Sequence, residues 1–124
     1  RRPLAPQLSA LSMDAELDLA SASALERAVV DHMGRNPAVK HVCLFAQPIN
    51  RMDVTGVETF GKIHQFLRER GATLHVSGLK LPVDHMLRRA GELSPSPTLH
   101  LYRTDLEALA ALQMLNQQDT EYHI

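Results

Sequence analysis

The sequence predicts an α/β domain with a mostly parallel, open sheet and helices mainly on one face, its elements in the order ββαβαβαβα. Three observations lead there. Short apolar or alternating runs at 8–13, 15–19, 42–46, 73–77 and 98–102 have the length and pattern of strands. Between them lie longer stretches with apolar residues at helical spacing, several opening on a Ser/Thr-x-x-Glu capping pattern. Strands that alternate with helices pair in parallel through right-handed crossovers.

The first two strands are separated only by Asp14, which predicts a tight turn or bulge. Ser23-Ala-Leu-Glu26 reads as a capping box, and Leu25, Ala28, Val29, His32 and Met33 share one face of the helix behind it. Gly34 and Pro37 end that helix. The run Val42-Cys-Leu-Phe-Ala46 is apolar at every position, the signature of a strand buried on both faces, so Cys43 is expected to be buried. Thr55-Gly-Val-Glu58 reads as a second capping box, with Val57, Phe60, Ile63 and Leu67 facing inward and Gly71 as the stop. Thr73 to Ser77 alternates. Leu81 to Ala90 reads as a short helix with Pro82 in its first turn, where a missing N–H costs nothing. Thr98 to Tyr102 alternates again, and Thr104-Asp-Leu-Glu107 opens a last helix expected to run to about Leu115.

The alternation assigns faces. Leu17/Leu19, Leu74/Val76 and Leu99/Leu101 point one way; Glu16/Asp18, Thr73/His75 and Thr98/His100/Tyr102 point the other. The second set predicts a polar sheet face open to solvent, with His75, His100 and Tyr102 as a candidate docking surface.

The chain has 124 residues, enough for one domain that folds without staples. Residues 1–7 read as the end of a linker, 8–115 as the domain and 116–124 as a flexible polar tail. The start on Arg1 rather than Met reads as a fragment. A net charge of -1 without a basic stripe argues against a nucleic-acid partner. The single cysteine excludes an internal disulfide and fits a reducing compartment. No apolar run reaches the roughly 20 residues of a membrane span.

Two stretches resemble a known family. Val42-Cys-Leu-Phe-Ala-Gln-Pro-Ile-Asn-Arg-Met-Asp53-Val-Thr55-Gly56-Val-Glu-Thr-Phe60 resembles the strand, loop and helix start of STAS domains, with their Asp-x-Ser/Thr-Gly signature. Gly71-Ala-Thr-Leu-His-Val-Ser-Gly-Leu-Lys80-Leu-Pro82-Val83 is similar to the branch found in SulP anion transporters, where the strand runs into Lys-Gly-Pro-Val; Leu81 stands in place of that Gly. The resemblance implies the STAS fold of anti-sigma-factor antagonists. It implies a non-catalytic regulatory module on the cytoplasmic side of the inner (plasma) membrane, following the transmembrane anion-transport domain of the same polypeptide. A further regulatory protein is a second partner it allows. The alternatives are a free-standing antagonist switched by phosphorylation at Thr55, and a nucleotide- or anion-sensing module.

The candidate site residues follow. Asp53, Thr55 and Gly56 form a regulatory or partner-binding loop, with Thr55 read mainly as the cap of its helix and Asp53 as an acceptor shaping the loop. Lys80, Arg88 and Arg89, with His85, form a basic rim for an anion or an acidic partner. No catalytic residue is assigned, because no nucleophile–base motif is present. No cofactor is expected, since there is no phosphate-cradling Gly-rich loop, and no metal, since the seven histidines lack zinc-type spacing.

Overall fold

A computed structural model of the chain describes the backbone of residues 8–12 and 19–122, and side chains between 22 and 115. The elements are β1 (Leu8–Ser12), α1 (Leu19–Arg35), β2 (His41–Phe45), α2 (Val54–Glu69), β3 (Thr73–Ser77), α3 (Leu81–Arg89), β4 (Leu99–Tyr102) and α4 (Asp105–Tyr122). Among the described residues the strands form one parallel sheet in the order β1-β2-β3-β4. The predicted second strand, 15–19, falls mostly outside the described residues, and its last residue, Leu19, instead opens α1. Ser23 therefore sits inside α1 and does not cap it. The Leu19-Ala-Ser-Ala stretch contains no helix breaker, so the helix extends a turn upstream of the Ser/Glu pattern.

The main core lies between the sheet and α1, α2 and α3. Leu25, Val29 and Met33 of α1, Phe60, Ile63 and Leu67 of α2, and Val83 and Leu87 of α3 pack with Val42, Leu44, Leu74 and Val76 of the two inner strands. α4 lies on the opposite face, where Ala108 and Leu112 cover Cys43, with Phe45, Tyr102 and Leu115 at the margin. The apolar pattern of β2 follows from this placement: Val42 and Leu44 serve one layer and Cys43 the other.

Three expectations are corrected here. α4 does not end near Leu115 but runs to Tyr122, since nothing from Asn116 to Tyr122 breaks a helix. β3 is not half-covered: Leu74, His75, Val76 and Ser77 are all buried. The face bearing His75, His100 and Tyr102 is consequently not open throughout: His75 is 1% exposed, Tyr102 is half-buried and only His100 is exposed. The polar groups of that face are buried because they bond to one another, which removes most of the cost of desolvating them.

Candidate functional site

The carboxyl edge of a parallel sheet collects the loops that lead into its helices, and open α/β folds place their functional groups there. Among the described residues three such loops meet. The β2–α2 loop, 46–53, is pinned from inside by Ile49 and Met52, both buried, and by hydrogen bonds from Ala46 N to Ser77 O (2.8 Å) and Ile49 N to Ala46 O (2.9 Å). Those anchors leave Asn50, Arg51, Asp53 and Val54 exposed. The β3–α3 loop turns at Gly78, whose φ of 72° suits glycine. A Cβ there would also lie 3.0 Å from Gln47 Oε1, so the two loops pack directly together. Lys80 Nζ donates to Asn50 Oδ1 and ties them further. The β4–α4 loop joins through Ser77, fully buried, whose hydroxyl donates to Asp105 Oδ1 at 2.6 Å.

At the start of α2, Asp53 is the N-cap. Its extended backbone leaves the side chain free to turn back, and Oδ1 accepts from Gly56 N at 2.8 Å. Thr55 lies two residues into the helix, half-exposed, and among the described residues no hydrogen bond engages its hydroxyl. The capping role expected of Thr55 thus belongs to Asp53: an N-cap side chain must precede the first helical residue, and Val54 is already helical. The Thr104 pattern, by contrast, forms as expected: Glu107 N donates to Thr104 Oγ1 (3.1 Å) and Arg103 N to Glu107 Oε1 (3.2 Å).

The basic rim is not one patch. Lys80 stands at the first turn of α3, Arg88 and Arg89 in its last, so they lie about 12 Å apart along the helix. Arg88 is committed to Asp84 at 2.7 Å. Leu81 has no positive φ and is 69% exposed, so a leucine fits where SulP domains have glycine. Sequence reasoning missed the apolar contribution to this edge. Val54 is 67% exposed and Leu106 78%, and with Leu81 each stands in the first turn of a helix that starts there. Apolar residues in those turns were the available signal.

A second polar cluster lies beneath α4. His75 bridges His41 (His75 Nε2 to His41 Nδ1, 3.0 Å) and the Tyr102 hydroxyl (2.9 Å from His75 Nδ1), and stacks on His100 with centroids 5.2 Å apart. Burial, then the neighbouring His41 and His100, push the His75 pKa down to about 3, so the ring is neutral at physiological pH. Burial, then Cys43, raises that of Tyr102. His64 Nε2 meets Thr98 Oγ1 at 2.9 Å, tying α2 to the connector before β4; burial, then Arg68, lowers its pKa. Among the described residues no group of three His, Cys, Asp or Glu is placed to hold a metal, and no helix is long and apolar enough to cross a membrane.

Solved structures share this architecture. The chain is 26% identical to the SulP transporter STAS domain from Vibrio cholerae, covering 94% of this chain and 90% of that one with a TM-score of 0.72. It matches the murine Solute Carrier 26 family member A9 anion transporter, in its inward-facing state, with a TM-score of 0.74 and 13% identity, covering 87% of this chain but only 18% of the transporter. A Thermotoga maritima protein assigned as an anti-sigma factor antagonist aligns with a TM-score of 0.72 and 14% identity, covering 90% and 92% of the two chains. No curated protein matches the chain. The STAS domain family model matches residues 4–108, and with the parallel sheet and the Asp53-Val-Thr55-Gly56 helix start in place, the chain belongs to the STAS domain family.

Proposed function

We propose that this domain is the cytoplasmic regulatory module of a SulP-type anion transporter, non-catalytic, working through its carboxyl edge on the transmembrane part of the same polypeptide. The observation that carries the proposal is the 26% identity to the Vibrio cholerae SulP STAS domain over nearly the whole chain. The Lys80-Leu-Pro82-Val83 element supports it, because it builds the first turn of α3 beside the Asp53 loop. The contact surface is Asp53, Val54 and Thr55 with Lys80 and Leu81, a small apolar surface rimmed by polar groups, the composition of a docking site; Gly56 lies buried behind it. The test has two parts. The full reading frame should encode several apolar segments of about 20 residues before Arg1. In that intact protein, Val54→Glu and Leu81→Glu should reduce anion uptake while membrane abundance stays at wild type. A reading frame without such segments, or uptake indifferent to both substitutions, overturns the proposal.

A second reading has an observation of its own. Thr55 is half-exposed and takes no part in capping, so its hydroxyl is open to a kinase, as an antagonist switched by phosphorylation requires. Added charge there would meet the free N–H groups of the helix start but also Asp53 and Glu58. Thr55→Asp should then change binding of a partner protein while the melting temperature stays near wild type. A reading frame consisting of this domain alone, with a partner whose binding Thr55→Asp abolishes, would favour this reading over the first.

A further inference from the structure

His75 stands at the centre of the face that α4 covers, and it is fully buried. Its Cα partners across the sheet are Cys43 on β2 and His100 on β4, so the three side chains point the same way. Both ring nitrogens are engaged, Nε2 with His41 Nδ1 and Nδ1 with the Tyr102 hydroxyl, and the His100 ring stacks on it. The titratable groups that face it are thus His41 and Cys43 from β2 and His100 and Tyr102 from β4. None of the four is negatively charged at or below neutral pH. From α4, Ala108 and Leu112 lie over this face, and no charged residue occurs between Glu107 and Asp119. Asp105 reaches the same side of β3 at Ser77, two residues along, where it is exposed and accepts the serine hydroxyl.

The chain of hydrogen bonds has room for one extra proton and not for two. With every ring neutral it runs from the Tyr102 hydroxyl to His75 Nδ1, and from His75 Nε2–H to His41 Nδ1. A proton added at His41, which is half-buried, reverses it: His41 Nδ1–H donates to His75 Nε2, and His75 Nδ1–H donates to the Tyr102 oxygen. A further proton on His75 sets its Nε2–H against the Nδ1–H of a charged His41. It also buries a charge with the His41 and His100 rings each 5.2 Å away, centroid to centroid. Desolvation and like charge both oppose that state.

We propose that this cluster is an acid-sensitive latch: the uncharged His41–His75–Tyr102 chain lets α4 lie on the sheet, and protonation of His75 releases α4 from Ala108 onward while the rest of the domain stays packed. The main core makes the release local, because α1, α2, α3 and the inner strands pack together without any residue of α4. Release gives His75 water, and its pKa then rises from about 3 to the ordinary 6.5. The open form takes up the proton first. The closed form is therefore fully favoured above pH 6.5 and loses ground as the pH falls towards 3. Between pH 7 and pH 5 the opening equilibrium of α4 should rise about 25-fold. The inference is independent of the role proposed for the carboxyl edge.

Amide exchange of the chain at pH 7 and pH 5, corrected for intrinsic rates, tests it. The amides of α4 should open about 25-fold more at pH 5, while those of β2, β3 and α2 hold. The His75 ring resonance, followed through the same titration, should stay that of a neutral imidazole near pH 6.5 and change only as α4 loses protection. His75→Gln keeps an acceptor for Tyr102 and a donor for His41 but takes no proton, so its α4 should open equally at the two pH values. The ring titration needs no substitution and decides the matter alone should that variant not fold. Exchange in α4 that is the same at both pH values overturns the proposal. So does an acid response that survives in His75→Gln, equal acceleration of β2 and β3, or a His75 ring that titrates near pH 6.5 beneath a protected α4.

Discussion

Asp53 and Thr55 stand two residues apart, yet only Asp53 holds the start of α2. Its carboxylate satisfies Gly56 N, one of the amides a helix start leaves unpaired. Asp53→Ala should therefore cost about 1 kcal/mol in urea unfolding, and Thr55→Val should fall well below that. Equal losses would mean that the Thr55 hydroxyl caps the helix after all. His75 makes a separate prediction. Its folded-state pKa, about 3, lies below the 6.5 of an unfolded histidine. The unfolded chain therefore takes up the proton first. The stability owed to a neutral His75 is complete above pH 6.5 and is lost as the pH falls towards 3, at up to about 1.4 kcal/mol per pH unit. His75→Leu should be less stable at pH 7, because His41 and Tyr102 lose their shared partner, yet it should show a flatter dependence between pH 6.5 and 4.5. Unfolding free energies at the two pH values decide it; an unchanged slope in the variant would assign the acid sensitivity to another group.

At the scale of elements, α4 is fastened by few buried side chains. Its first turn is tied by the Ser77–Asp105 hydrogen bond, whose two ends are unequal: Ser77 is fully buried and Asp105 exposed. Removing the serine leaves a carboxylate that water can solvate. Removing the aspartate strands a buried hydroxyl, a loss of about 1–3 kcal/mol. Asp105→Ala should thus destabilise the protein more than Ser77→Ala, and amide exchange in α4 should rise more in the aspartate variant. The opposite order would show that Ser77 has another acceptor. This tie was illegible in the sequence, because it joins residues 28 apart that only the crossover brings together. α2 and α3 were legible, since Val57, Phe60, Ile63 and Leu67, or Val83 and Leu87, repeat at helical spacing next to a Gly or Pro boundary. The helix starts were legible in kind but not in place: Asp53 and Thr55 are both good capping residues, and only backbone geometry chooses between them. The face of β3 was misread because alternation reports polarity. Polarity implies exposure only when the polar groups lack protein partners, and here His75 has Tyr102 and His41, while Ser77 has Asp105.

Across the whole molecule the two layers are unequal. The layer of α1, α2 and α3 buries large side chains from every one of its helices, including Met33, Leu67 and Leu87. The α4 layer buries only Cys43, Ala108 and Leu112 as apolar groups, beside the polar His75 and Ser77, with Phe45, Tyr102 and Leu115 half-covered. Burial contributes roughly in proportion to apolar area, so α4 can leave the sheet at a lower free energy than the rest can unfold. Cys43 reports that opening, because α4 covers it while β2 and β3 stay paired beneath. Native-state labelling of Cys43 by a thiol reagent should be slow and should share one opening free energy with the slowest amides of α4. Leu112→Ala should speed both by the same factor, through a loss of about 2 kcal/mol, and leave amide exchange in β2, β3 and α2 nearly unchanged. Leu74→Ala, in the larger layer, should cost about 2–5 kcal/mol and speed exchange throughout the domain. If Leu112→Ala instead accelerates α2 and β3 as much as α4, the domain opens as a single unit and the two layers are one cooperative structure.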